Sequence, residues 1–293
     1  MKRLALAAAL LISACASSSA LAQTCPPAGS TRAELEALKG AAWTAPDDAA
    51  RNRLARSLTA CLASPDPALR DGLAYEALQH WLRARALSRD TMLALADDLE
   101  ARLVAADADG FARPFAALAL AEVARADRIE PFLTPARRTQ LLEAAIAYLT
   151  GVRDYRGFDE TEGWRHGVAH AADLMLQLSL NPALEKPDLL RIAEAVAVQV
   201  APEGYFYIYG ESERLARPLI FMAQRGLISA EEWQAYFARF SGRENVYASQ
   251  AGLAWRHNVN GFLHSIWLNA RISRNAEDDA LLPGAEAALR ALP

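Results

Sequence analysis

The chain has 293 residues, 31 basic and 35 acidic side chains, and a net charge of −4. It carries no basic stripe able to neutralise phosphates, which excludes nucleic acid as a partner.

The first residues read as an export leader. Lys2 and Arg3 precede an apolar run from Leu4 to Ile12, and Ala20-Leu21-Ala22 forms a small-residue cleavage site before Gln23. The run is too short for a permanent membrane span, so residues 1–22 are set aside from the fold. Ile12-Ser13-Ala14-Cys15 also resembles a bacterial lipoprotein box, in which Cys15 becomes the lipidated first residue. The expected location is periplasmic or secreted, with an outer-membrane lipoprotein as the alternative. In that alternative Cys15 is the only attachment to a membrane. Without Lys2 and Arg3 the balance is 29 basic against 35 acidic residues, or −6. Only Cys25 and Cys61 lie beyond the leader. In an oxidising compartment two such cysteines suggest a disulfide, and two unrelated thiols are the alternative.

Residues 23–293 read as a single all-α domain rich in alanine, leucine, arginine and glutamate. Periodicity predicts helices near 31–40, 48–63, 67–86, 89–106, 111–126 and 135–150. It predicts six more near 162–180, 187–201, 211–226, 229–241, 255–273 and 277–291. Thr134-Pro135 is a helix start, and Ser229 with Glu232 forms a capping box. Short links such as Ser64-Pro65-Asp66-Pro67 imply antiparallel hairpins. These stack as an irregular α-solenoid of the HEAT/ARM kind or close into an α/α toroid; no fixed repeat period is visible. Gly204 to Gly210 (GYFYIYG) reads as an irregular aromatic loop, with a short extended stretch as the alternative.

Candidate chemistry concentrates in residues 154–174. At about 100° per residue, His166, His170 and Asp173 share one stripe of an otherwise apolar helix. A buried polar stripe needs polar partners, a metal or a ligand. One turn separates His166 from His170, the spacing at which two imidazoles can share a zinc ion, and His264 is the candidate third ligand. Asp173 lies about 10.5 Å along the axis from His166. It suits a supporting role, accepting the other ring N–H of His170. A second stripe holds His257, Asn260, Gly261 and His264. Gly261 there implies close approach by a neighbouring helix or a ligand. Arg156, Trp164, Glu211 and Arg214 complete the candidate ligand-binding set, and Tyr209 is a candidate general acid. The alternative is a purely structural histidine network, in which buried imidazoles satisfy polar groups of the core.

The run from Asp154 to Leu178, with GWRHGVAHAADLMLQL at its heart, resembles the bacterial all-helical family DUF2785. Tyr209 to Leu215 (YGESERL) and the segment from His257 to His264 fit the same likeness, which covers roughly residues 65–275. The resemblance implies an all-α fold and no particular reaction. His257, Asn258, Asn260, His264 and Tyr209 also loosely resemble the Asn/His/Tyr set of α/α-toroid polysaccharide lyases. Such a set would neutralise a uronate and remove the adjacent proton.

The expected function is therefore an exported protein whose interior polar pocket binds a small molecule, a glycan or a metal. A helical scaffold for a protein partner in the cell envelope is one alternative. A lyase-like or metal-dependent enzyme is another.

Overall fold

The structure, a computed structural model, describes residues 24–293. The expected leader and the Cys15 lipid box lie outside the described residues.

Local signals set most helix starts. Thr31 and Glu34 form a reciprocal capping box at α1 (Arg32–Gly40). Asp47 caps α2 (Asp48–Leu58), which tightens into a 3-10 turn over Thr59–Ala63. The predicted 67–86 helix is a continuous run of three pieces. They are α3 (Pro67–Leu69), a π-helical turn (Arg70–Tyr75) and α4 (Glu76–Arg83). Ser88 caps α5 (Arg89–Val104), and α6 spans Ala112–Ile129. Thr134 caps α7 (Pro135–Gly151), with Pro135 in the first turn as the sequence predicts. After α8 (Gly167–Ser179), α9 (Lys186–Gln199) and α10 (Glu211–Ala223), the Ser229/Glu232 capping box opens α11 (Ala230–Ala238). The chain continues through α12 (Gln250–Ile272) to α13 (Leu282–Arg290).

Helices of even number pack side by side in one row: α4 on α6, α6 on α8, α8 on α10, and α10 on α12. A second row packs α5 on α7 and α7 on α9. This alternation follows from short links between amphipathic helices. Helix α8 lies inside the first row, and nearly all of its residues are buried. The close approach at Gly261 is now explained. A Cβ there would stand 3.3 Å from Ser212 Cβ, so the glycine lets α12 settle on α10.

One expectation is corrected. The helix expected at 162–180 begins only at Gly167. Residues 158–164 form a small antiparallel hairpin of β1 (Phe158–Asp159) and β2 (Gly163–Trp164), with Phe158 opposite Trp164. The Asp159 carboxylate accepts the N–H groups of Thr161 and Glu162, which closes the turn. Gly163 supplies the positive φ of +74°. The pairing continues past the strands: Arg165 N–H donates to Gly157 and His166 N–H to Arg156. Those bonds hold the chain extended until His166. The GYFYIYG segment is an irregular loop. Asn258 pins it, accepting from Tyr207 N–H and donating to the Tyr205 carbonyl.

Cys25 and Cys61 are joined in a disulfide. It spans 36 residues of sequence and ties the N-terminal segment to the turn after α2. Closing a loop of that length removes denatured-state freedom. Replacing both cysteines with alanine should lower unfolding free energy by about 2–4 kcal/mol. Urea unfolding of the two proteins measures this.

Candidate functional site

His166 is the N-cap of α8, not a residue inside it. Its backbone is left-handed, with φ 54° and ψ 40°. A non-glycine residue held there stores about 1 kcal/mol or more and stays because its surroundings impose it. The imidazole stacks on Trp164, with centroids 4.7 Å apart and planes 21° apart. Its Nε2 faces Glu211 Oε1 at 3.7 Å, beyond hydrogen-bond reach, and has no hydrogen-bond partner among the described residues. His170 follows one turn later, 5.7 Å from His166 between ring centroids, and meets Phe115 edge-on at 5.0 Å. Its Nδ1 is buried and also unpartnered. Both rings are only 7 % exposed.

Burial dominates the electrostatics. It pushes His166 down to about 4, helped by the positive charge of Arg214. His170 is lowered well below the ordinary range by burial, then by His166 and Arg214. Both imidazoles are therefore neutral at pH 7, each ring carrying one N–H donor and one acceptor nitrogen. Glu211 is 2 % exposed, and burial raises its pKa. Its carboxylate accepts the Tyr209 N–H at 2.9 Å.

Asp173 has a different partner from the one expected. Its carboxylate pairs with Arg214 on α10, with Arg217 at 3.9 Å, rather than fixing the ring proton of His170. The stripe does face one way, but α10 supplies a guanidinium there that helical spacing along α8 cannot show. Burial raises Asp173 against the opposing pull of Arg214.

Polar side chains continue along the row of even-numbered helices. Arg83 holds Glu122 at 2.5 Å, Gln79 donates to the Tyr75 hydroxyl at 2.9 Å, and Arg128 donates to Gln177 at 2.9 Å. Tyr75 is raised by burial and then by Glu122, with Asp173 a smaller cause. Helices α4, α6, α8 and α10 thus present one connected polar face. The arginines on it outnumber the carboxylates.

Of the predicted residues, Trp164, His166, His170, Asp173, Tyr209, Glu211 and Arg214 come together. Tyr209 lies across Gly157, where any side chain would collide with its ring, and meets Trp164 edge-on at 5.8 Å. Arg156 is elsewhere: it pairs with Asp154 and is exposed. His257, Asn260 and His264 line a separate groove on the outer side of the GYFYIYG loop, where both imidazoles are exposed. Glu211 lies between the two places, touching His166 and lining the groove. His264 therefore does not join His166 and His170. Among the described residues no three His, Cys, Asp or Glu side chains gather as a metal-binding set. The lyase-like set does not converge either. Asn258 points into the core, His257 points out to the Tyr207 carbonyl, and Tyr209 packs with Trp164.

Sequence reading missed Arg70, which is fully buried. Its Nη1 donates to the Ser64 carbonyl and its Nη2 to the Glu162 carbonyl, and its guanidinium stands over Phe111 at 4.2 Å. Arg165 stands over the same ring at 4.2 Å. A signal existed: Arg70 falls in the apolar row of Leu73, Ala74 and Ala77, where a charge needs a reason.

Fold and site together define an all-α protein with a neutral, buried histidine pair beside a charged inner face. The chain belongs to the family described as Protein of unknown function (DUF2785), which matches residues 101–268. That range holds both histidines, the hairpin and the whole of α10. No curated protein and no solved structure matches the chain. No described helix is long and apolar enough to cross a membrane.

Proposed function

We propose that this protein binds a small hydroxyl-bearing acid, of the acidic-sugar class, at the His166/His170 site. The observation that carries this reading is the pair of neutral imidazoles, each more than nine-tenths buried, each with an unpartnered ring nitrogen. Buried polar atoms without partners are costly. A ligand hydroxyl both donates and accepts, so it can satisfy such a ring nitrogen in either tautomer. Arg214 and Arg217 share one carboxylate, Asp173, so the pair has positive charge to spare for a ligand acid. The chemistry is binding by hydrogen bonds and charge rather than metal coordination. The leader and the Cys25–Cys61 bond support a working place outside the cytoplasm, as free protein or anchored through Cys15.

Calorimetric titration with glucuronate and with glucose tests the reading. Glucuronate is expected to bind, and glucose to bind at least about tenfold more weakly, the worth of a charge-assisted hydrogen bond. Arg217→Ala removes a half-exposed side chain and should weaken glucuronate by a similar factor at unchanged melting temperature. His170→Ala should abolish binding. Equal heats for the two sugars would refute an acid-recognising site. A His170→Ala protein that only melts earlier, with no ligand lost, would make the histidines structural.

A further inference from the structure

A cavity of about 490 Å³ opens where the end of α5, the start of α6, the end of α7 and the start of α8 meet. It does not include either histidine of the proposed site. We propose that it binds an apolar monocarboxylate, a short-chain fatty acid or an aromatic acid.

Three features of the wall carry the assignment. Its apolar part is Leu103, Pro114 and Val152, all buried, beside Val104 and Ala147. Its basic part is Arg113, Arg153 and Arg165. Arg113 donates to the Ala105 and Val104 carbonyls, and Arg153 to the Thr150 and Val152 carbonyls, so among the described residues neither side chain meets a carboxylate. Arg165 is 7 % exposed, a guanidinium brought more than nine-tenths out of water at the cavity wall. Its Nε donates to the Asp109 carbonyl and its Nη2 to the Glu162 carboxylate, which fixes the guanidinium at the wall. The third feature is the start of α8. Its N-cap, His166, makes no side-chain capping bond, so the first-turn N–H groups beside Gly167 keep their dipole for an anion.

Two acids also line the cavity, and both are already engaged. Asp107 accepts the N–H groups of Gly110, Phe111 and Arg113 at the start of α6. Asp154 is paired with Arg156. The free balance is positive. One carboxylate satisfies it, and the apolar wall selects a hydrocarbon tail over a sugar. The volume lies within the range of small-molecule sites, about 300–1,000 Å³.

Gly167 provides a clean test. A Cβ added there would stand 3.4 Å from the Tyr148 hydroxyl and 3.6 Å from the Asp154 carbonyl, ordinary contacts that the fold tolerates. Gly167→Ala therefore fills the space between Tyr148 and the helix start without touching any charge. Titration of the protein with benzoate, octanoate and benzyl alcohol, followed by NMR shifts, is the experiment. Benzoate and octanoate are expected to bind, and benzyl alcohol at least about tenfold more weakly, the worth of a charged hydrogen bond. Gly167→Ala should abolish carboxylate binding at an unchanged or higher melting temperature, and Tyr148→Phe should weaken it about tenfold. Equal binding of benzyl alcohol, or full benzoate binding by Gly167→Ala, would overturn the proposal. Glucuronate titration of the same variant separates the two sites, since that binding should not change.

Discussion

Arg70→Met is expected to cost about 3 kcal/mol of unfolding free energy, the lower end for breaking a buried ion pair from one side. Arg70 is fully buried and its Nε pairs with Asp71 Oδ1 at 2.6 Å. Methionine fills much of the space and keeps the contact with Phe111 and Phe115, over which the guanidinium now stands. The loss is polar. The carbonyls of Ser64 and Glu162 lose their donors, and Asp71 loses its counter-charge in a setting where burial already raises its pKa. Asp71 is 31 % exposed and can turn partly to water, which holds the cost at the lower end. The double variant Arg70→Met, Asp71→Leu should recover about 1–2 kcal/mol, because no uncompensated charge remains. Because Arg70 also grips the hairpin that carries Trp164, the single variant should weaken ligand binding as well. Urea unfolding of the three proteins decides it. A single variant within about 0.5 kcal/mol of wild type, the range of inert surface changes, would show that the hairpin does not depend on this arginine.

The second large effect is on acid stability. His166 titrates near 4 in the fold and near 6.5 in the unfolded chain. A depressed histidine is neutral in the fold, so below pH 6.5 the unfolded chain takes up a proton that the folded protein refuses. Stability from this group is complete above pH 6.5, falls as the pH drops, and levels off near pH 4. The shift corresponds to about 3 kcal/mol. His170 acts in the same direction, and its window runs lower because its pKa is well below the ordinary value. Glu211 and Asp173 act oppositely: burial raises both, so protonation at low pH favours the fold. Comparison with His166→Asn isolates the histidine. Asparagine tolerates the left-handed backbone at this position and does not titrate. The advantage of wild type over the variant should shrink by about 3 kcal/mol between pH 7 and pH 4. Parallel pH profiles of the two proteins would show that His166 is accessible to protons in the fold.

Much of the architecture was legible because it is local. The Thr134-Pro135 and Ser229/Glu232 starts act within one turn, and each begins a helix where the sequence places it. The histidine stripe was legible for the same reason. His170 and Asp173 share the face of α8 that 3.6-residue spacing gives them, inside a segment too apolar to lie at the surface. His166 was placed correctly near His170 but in the wrong backbone state. Periodicity has no means of sensing that β2 pairs with β1 and holds the chain extended until residue 166.

The sequence by itself determined an all-helical chain, its caps, a cysteine pair able to bond and a polar stripe on one buried helix. These depend on backbone propensity and on residues a few places apart. Tertiary structure alone decided what faces that stripe. Arg214 is 41 residues from Asp173, and Arg70 is 92 from Glu162. It also put His264 in an exposed groove away from the buried His170, with Glu211 reaching both that groove and His166. Such meetings depend on how whole helices pack, a sum of many weak contacts that no short window of sequence contains.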